Sequence, residues 1–231
     1  MTDTHAVLAL LQISDGLFPA GGFAHSLGLE TYAQAGVVKD GRGLEAFVCA
    51  HLDGSAGPAD AVAVSAAGRA ASTADALATC LAIDARIDAM RFVPEFTAAS
   101  QQMGRQMLRV AAAWERDGLV AAFGARVESG TTPGHYPVVF GLVAGRAGID
   151  PEAAAAAYLY ATASMLVNAA LRLLPIGQVE GQRVLAGLRT RIAELAAAAS
   201  RAAIDDMWSF TPGLELAGLR HAELDMRLFR S

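Results

Sequence analysis

Apolar residues recur at three- and four-residue spacings along almost the whole chain, the period of one face of an α-helix. Val7, Leu8, Leu10 and Leu11 open a short first helix, and the stretch from Ser14 to Gly22, with Pro19 and paired glycines, breaks it. Phe23 to Gln34 restarts the pattern and Gly36 stops it; Leu44 to Leu52 follows. Gly54-Ser55-Ala56-Gly57-Pro58 reads as a turn, with Pro58 suited to the first position of the next helix. Thr73 reads as the cap of a helix to Arg91 carrying Leu77, Leu81, Asp84, Ile87 and Met90. Pro94-Glu95 opens another that runs to about Arg116 on the stripe Phe96, Met103, Met107, Val110 and Trp114, closed by Asp117-Gly118. Ser129 to Pro137 is less regular. Asp150-Pro151-Glu152 is a strong start for an Ala-rich core helix, and a last long helix runs from about Gln178 to Ala203. Thr211-Pro212-Gly213 begins a tail. Alternation appears only weakly at Tyr136–Leu142, where Pro137 and Gly141 oppose a central strand. The expected fold is all-α: a single-domain bundle of about ten helices over residues 1–231, with no significant sheet.

Composition sharpens this picture at a few points. The 231 residues are 54% hydrophobic, but 51 are Ala; without them the apolar share is about a third. A chain of this size builds a core without disulfides or metal. The net charge of −5 leaves no basic field for phosphate backbones, which argues against nucleic acid. Lys39 is the only lysine and no P-loop surrounds it, so the chain is not itself a P-loop NTPase. Met1–Gln12 lacks a basic region and a cleavage site, so no signal peptide is expected. Ala153–Leu171 is free of charge, yet mostly Ala with Tyr158, Tyr160, Thr162, Ser164 and Asn168, which favours a buried helix over a membrane span. The expectation is a cytoplasmic protein with no membrane role.

Candidate chemistry is sparse. His5, His25, His51, His135 and His221 are scattered, with no HExxH and no i,i+4 histidine pair. Cys49 and His51 are two apart on a helix and point away from each other; Cys80 reads as a buried, inert thiol. No GxSxG elbow occurs and Ser26 merely follows His25. No catalytic and no metal-ligating residues are assigned. Small residues at i,i+4, Ser100 with Gly104 and Gly177 with Gly181, allow close helix approach. Arg105 and Arg109 share a face beside Ser100 and Gly104, and a guanidinium grips carboxylates or phosphates bidentately. The terminal Arg227-Leu228-Phe229-Arg230-Ser231 places apolar anchors between arginines, which suits docking, on another chain or on its own core.

Four blocks together resemble one family, the urease accessory protein UreF. Leu17 to Glu30 is similar to its PxGGFxxSxGLE motif, and Ser100 to Arg109 to its SxxxGRxxLR motif. His135-Tyr136-Pro137-Val138-Val139-Phe140-Gly141 is followed by Arg172-Leu173-Leu174-Pro175-Ile176-Gly177-Gln178 and Gly181-Gln182; the terminal Arg227 to Ser231 is the fourth. The resemblance spans Leu10 to Ser231. It implies a dimeric helical scaffold without enzymatic activity that bridges UreD (also called UreH) and the GTPase UreG. The assembly loads nickel into apo-urease in a GTP-dependent manner, and no cofactor is stably bound by this chain. Residues 211–231 are then a docking tail. Carried over, Arg220, His221, Arg227, Leu228, Phe229 and Arg230 meet UreD, while Gly22, Phe23, Glu30, Arg105 and Arg109 belong to the dimer cleft that receives UreG. The chain departs from the family pattern at Ala222 and Asp225-Met226. An alternative is a regulator that supplies an arginine, Arg105 or Arg172, in trans to a partner GTPase. A third is an unrecognised helical enzyme.

Overall fold

The computed structural model describes residues 3–115 and 118–231, and all its regular elements are helical. In order they are α1 (Thr4–Ser14), a 3₁₀ turn (Gly22–Ala24), α2 (Leu29–Gln34), α3 (Gly41–His51), a π-helical segment (Leu52–Ala61), α4 (Val62–Ala70), α5 (Ala76–Met90) and α6 (Pro94–Ala111). There follow α7 (Leu119–Glu128), α8 (Tyr136–Arg146), α9 (Pro151–Leu173), α10 (Gln178–Arg201), a 3₁₀ turn (Ile204–Asp206) and α11 (Pro212–His221).

The Ala-rich helix begins where the sequence places it. Asp150 accepts the Glu152 and Ala153 amides at 3.0 and 3.1 Å, with Pro151 behind it. The resulting α9 is the central core helix, packed on α10, α4 and α8. Small side chains set how closely these elements lie. A Cβ on Gly141 would fall on the Val64 carbonyl and one on Gly145 on the Gly68 carbonyl, so α4 and α8 touch backbone to backbone.

Several boundaries differ from expectation. Phe23–Gln34 does not form one helix: Leu27 and Gly28 take left-handed backbone (φ 49° and 88°), and α2 starts only at Leu29. Thr73 donates to the Ala70 carbonyl instead of capping α5, which starts at Ala76. The expected closing signal at Arg116 and Asp117 lies outside the described residues; α6 itself stops at Ala111. Tyr136–Arg146, where the sequence offers only weak alternation and no helix is expected, is α8, and α7 precedes it. Pro137 to Ala144 are all buried, so α8 has no polar face and leaves no helical period to read.

The expected turn at Gly54–Pro58 is also absent. α3, the π segment and α4 run on as one helical rod, with Pro58 inside it. Two carbonyls of the π segment also bond outside the rod. Gly54 O accepts the Phe210 amide at 2.7 Å and Pro58 O the Trp208 amide at 3.3 Å.

Candidate functional site

The first and last motifs of the chain build one structure. Glu30, on α2, is 1% exposed. Its carboxylate accepts the Leu228 amide at 2.7 Å and the Phe229 amide at 3.1 Å. His221 Nε2 lies 3.0 Å from Glu30 and Nδ1 2.6 Å from Glu95, the second residue of α6. Glu95 also holds Arg227 Nη1 at 3.0 Å. Burial alone would raise the Glu30 pKa; the Leu228 amide, His221 and the Phe229 amide outweigh it and hold Glu30 below the usual carboxylate value.

Three to five residues before Glu30 in the same motif, Ser231 is gripped. The Ser26 and Leu27 amides donate to the Ser231 main-chain oxygen at 2.5 and 3.1 Å, and the Ser26 hydroxyl adds a bond at 2.9 Å. His25 Nδ1 faces Ser231 Oγ at 2.9 Å. Burial, then the nearby Arg230, pushes the His25 pKa down to about 4, so this imidazole is neutral. Phe229 is buried beneath Arg172, whose guanidinium lies 4.5 Å from the ring centre. The tail thus folds onto its own core and its backbone is fixed residue by residue.

What this clamp presents outward is a ridge of arginine and apolar side chains. Arg220, Arg227, Leu228 and Arg230 are exposed, while His221 and Phe229 are buried and act as its support. Leu216, Leu219 and Met226 join the exposed set and were not singled out from the sequence. Leu216 and Leu219 stand three apart on α11, opposite the buried Leu214, Ala217, Gly218 and His221. Glu95 was missed too, because its partners are 126 and 132 residues away.

The second set of candidates separates in the same way. Phe23 is 77% exposed, and Arg105 and Arg109 are exposed on α6 with no hydrogen bond or ion pair among the described residues. Gly22 lies against Met103 of α6 and Met165 of α9, a Cβ there reaching 3.3 and 3.2 Å. Glu30 sits in the tail clamp, not on this face. Arg172 is occupied by Phe229 and by the Phe23 carbonyl at 3.4 Å.

The other two motifs interlock to hold α6 in place. A Cβ on Gly104 would fall on the Gly134 carbonyl, so α6 crosses the loop before α8 without clearance. Buried Asp84 accepts the Thr132 hydroxyl at 2.6 Å and the Gly134 and His135 amides at 2.7 and 2.8 Å. His135 bonds Ser100 Oγ at 3.1 Å and Asp88 at 3.0 Å. The order Ser–His–Asp is that of a hydrolytic relay, which chain spacing did not reveal. Ser100 Oγ, however, is buried in the α6–α8 corner and also takes the Tyr136 amide at 3.3 Å, which makes the trio a tie between elements. Burial, then Arg91, lowers the His135 pKa.

A cavity of about 1030 Å³ runs beneath these surfaces, lined mainly by apolar side chains. Its polar groups include Asp60, bonded to Arg91 at 2.6 Å and to the Tyr158 hydroxyl at 3.0 Å, and His51, which burial drives down to about 4. Among the described residues no three of His, Cys, Asp and Glu gather as a metal site. Burial pushes the Cys80 thiol up to about 12, which makes it unreactive.

Comparison with known proteins places this geometry. The model of the UreF family matches residues 38–189. Proteins named urease accessory protein UreF align over nearly all of the chain. The one from Paenarthrobacter aurescens (strain TC1) is 33% identical, covering 97% of each chain, and the one from Rhizobium leguminosarum bv. viciae is 36% identical over 100% of both. That of Rhodopseudomonas palustris (strain BisA53) is 37% identical over 93% of this chain and 88% of the relative.

Proposed function

The chain belongs to the UreF family of urease accessory proteins, and from that premise we propose that it is a non-enzymatic scaffold bridging UreD (UreH) and the GTPase UreG. The assembly inserts nickel, as cargo, into apo-urease in a GTP-dependent manner. UreD takes the ridge of Arg220, Arg227, Leu228 and Arg230. UreG takes the face of Phe23, Arg105 and Arg109 in the cleft of a homodimer. His221, Phe229, Glu30 and Gly22 serve these surfaces from inside.

One observation carries the reading. The buried carboxylate of Glu30 is spent on the tail amides and on His221, so the chain fixes an exposed arginine–leucine surface instead of a reactive centre. Exposed apolar side chains among arginines, on a preorganised backbone, are the anchors of protein recognition.

Reciprocal surface variants test it. In a pull-down with cognate UreD and UreG, Arg220→Glu with Leu228→Asp releases UreD and keeps UreG; Arg105→Glu with Arg109→Glu does the reverse. Loss of both partners by either pair, or of neither, contradicts the assignment of faces. That Arg105 and Arg109 bond no partner among the described residues also favours a second reading, in which one of them assists GTP hydrolysis in trans. That reading requires Arg105→Ala or Arg109→Ala to slow single-turnover GTP hydrolysis far more than it weakens UreG binding.

A further inference from the structure

Glu95 follows Pro94 at the start of α6, where an acid in the first turn suits the helix dipole on its own account. Its carboxylate does more than that, because it divides its two oxygens between distant residues. Oε2 meets His221 Nδ1 at 2.6 Å, and Oε1 meets Arg227 Nη1 at 3.0 Å. His221 closes α11, and residues 222–226, which follow it, form no helix. Glu95 therefore braces both ends of an irregular stretch that leads into the terminal motif.

Other groups hold the backbone of that stretch. Gln34 Nε2 donates to the Met226 carbonyl at 2.9 Å, and Glu30 takes the Leu228 and Phe229 amides. His221 keeps its contact with Glu30 as well. What rests on Glu95 is thus a side chain, the guanidinium of Arg227. Among the described residues, Arg227 is the one ridge arginine whose guanidinium is bonded. Its side chain is 43% exposed, so it stands on the ridge with donors left over for a partner. An arginine fixed before encounter loses less rotamer freedom when the partner arrives.

We propose that Glu95 is a positioning residue for the tail face: it sets the direction of the Arg227 guanidinium and so tightens the hold on UreD, an inference that rests on UreD taking this ridge. Glu95→Gln keeps the shape and leaves one carbonyl oxygen, which can serve His221 or Arg227 but not both. In the full chain the variant binds cognate UreD about three- to tenfold more weakly. The Leu228 and Phe229 amides stay protected from hydrogen exchange, because Glu30 still holds them. A double-mutant cycle then separates positioning from a structural role. In an Arg227→Ala background Glu95→Gln costs no further UreD affinity; in an Arg220→Ala background it costs as much as in the parent chain. An equal loss in both backgrounds means that Glu95 does not act through Arg227, and overturns the proposal. Loss of the amide protection makes Glu95 a part of the fold and overturns it too. Unchanged UreD affinity in Glu95→Gln overturns the proposal and leaves the scaffold reading standing. A parent chain that binds no UreD defeats the assignment of the ridge, and the proposal with it.

Discussion

Glu30 illustrates how a single buried charge organises a surface from beneath. Its oxygens bond two amides and an imidazole from residues about 190 positions away. Glu30→Gln keeps the size and loses the charge. The expected cost is about 2 kcal/mol of stability, read from urea unfolding, together with release of the tail-bound partner. Gly104→Ala acts by shape alone: the added methyl meets the Gly134 carbonyl, and a loss of about 1–3 kcal/mol is expected in the same assay. Histidines set the acid limit. His25 and His51 titrate near 4 when folded, against 6.5 in an unfolded chain, and His135 is lowered as well. Their contribution is complete above pH 6.5 and is lost as the pH falls from there towards 4, by up to about 1.4 kcal/mol per unit for each histidine. Thermal melts at pH 7.5 and 5.0 should differ accordingly; equal midpoints would contradict the neutral assignment. Glu30, Ser100, Gly104 and His135 stood in recognisable motifs, but their pairings did not. Nothing in the sequence joins His221 to Glu95, or Ser100 to His135, because long-range geometry decides both.

Three long helices were legible at their starts. α9 and α10 start at the positions marked by Asp150 and Gln178, and α6 starts at Pro94. α8 escaped notice because burial on every side erases its period, and Pro137 with Gly141 counterfeits a break. The π segment escaped because glycine and proline together signal a turn in most chains. Here they serve a wider winding whose Pro58 and Gly54 carbonyls hold the extended residues 207–211. Gly54→Ala should push residues 207–211 away, so hydrogen exchange at the Phe210 amide rises while exchange in α9 stays constant. Parallel changes in both would show global loosening instead.

At the scale of the whole molecule, four motifs far apart in sequence reduce to two mechanical joints. One fixes the tail on α2 and on the start of α6; the other fixes the middle of α6 on the loop before α8. The Arg105–Arg109 face and the arginine–leucine ridge are thereby both set by α6, one on its exposed side and one through Glu95 at its first turn. Such a molecule is suited to holding two partners in fixed relation. Native mass spectrometry of this chain mixed with purified cognate UreD and UreG tests that most directly. The account predicts one complex containing all three, and no association of UreD with UreG when this chain is left out. A UreD–UreG complex that forms equally well without it would contradict the bridging role.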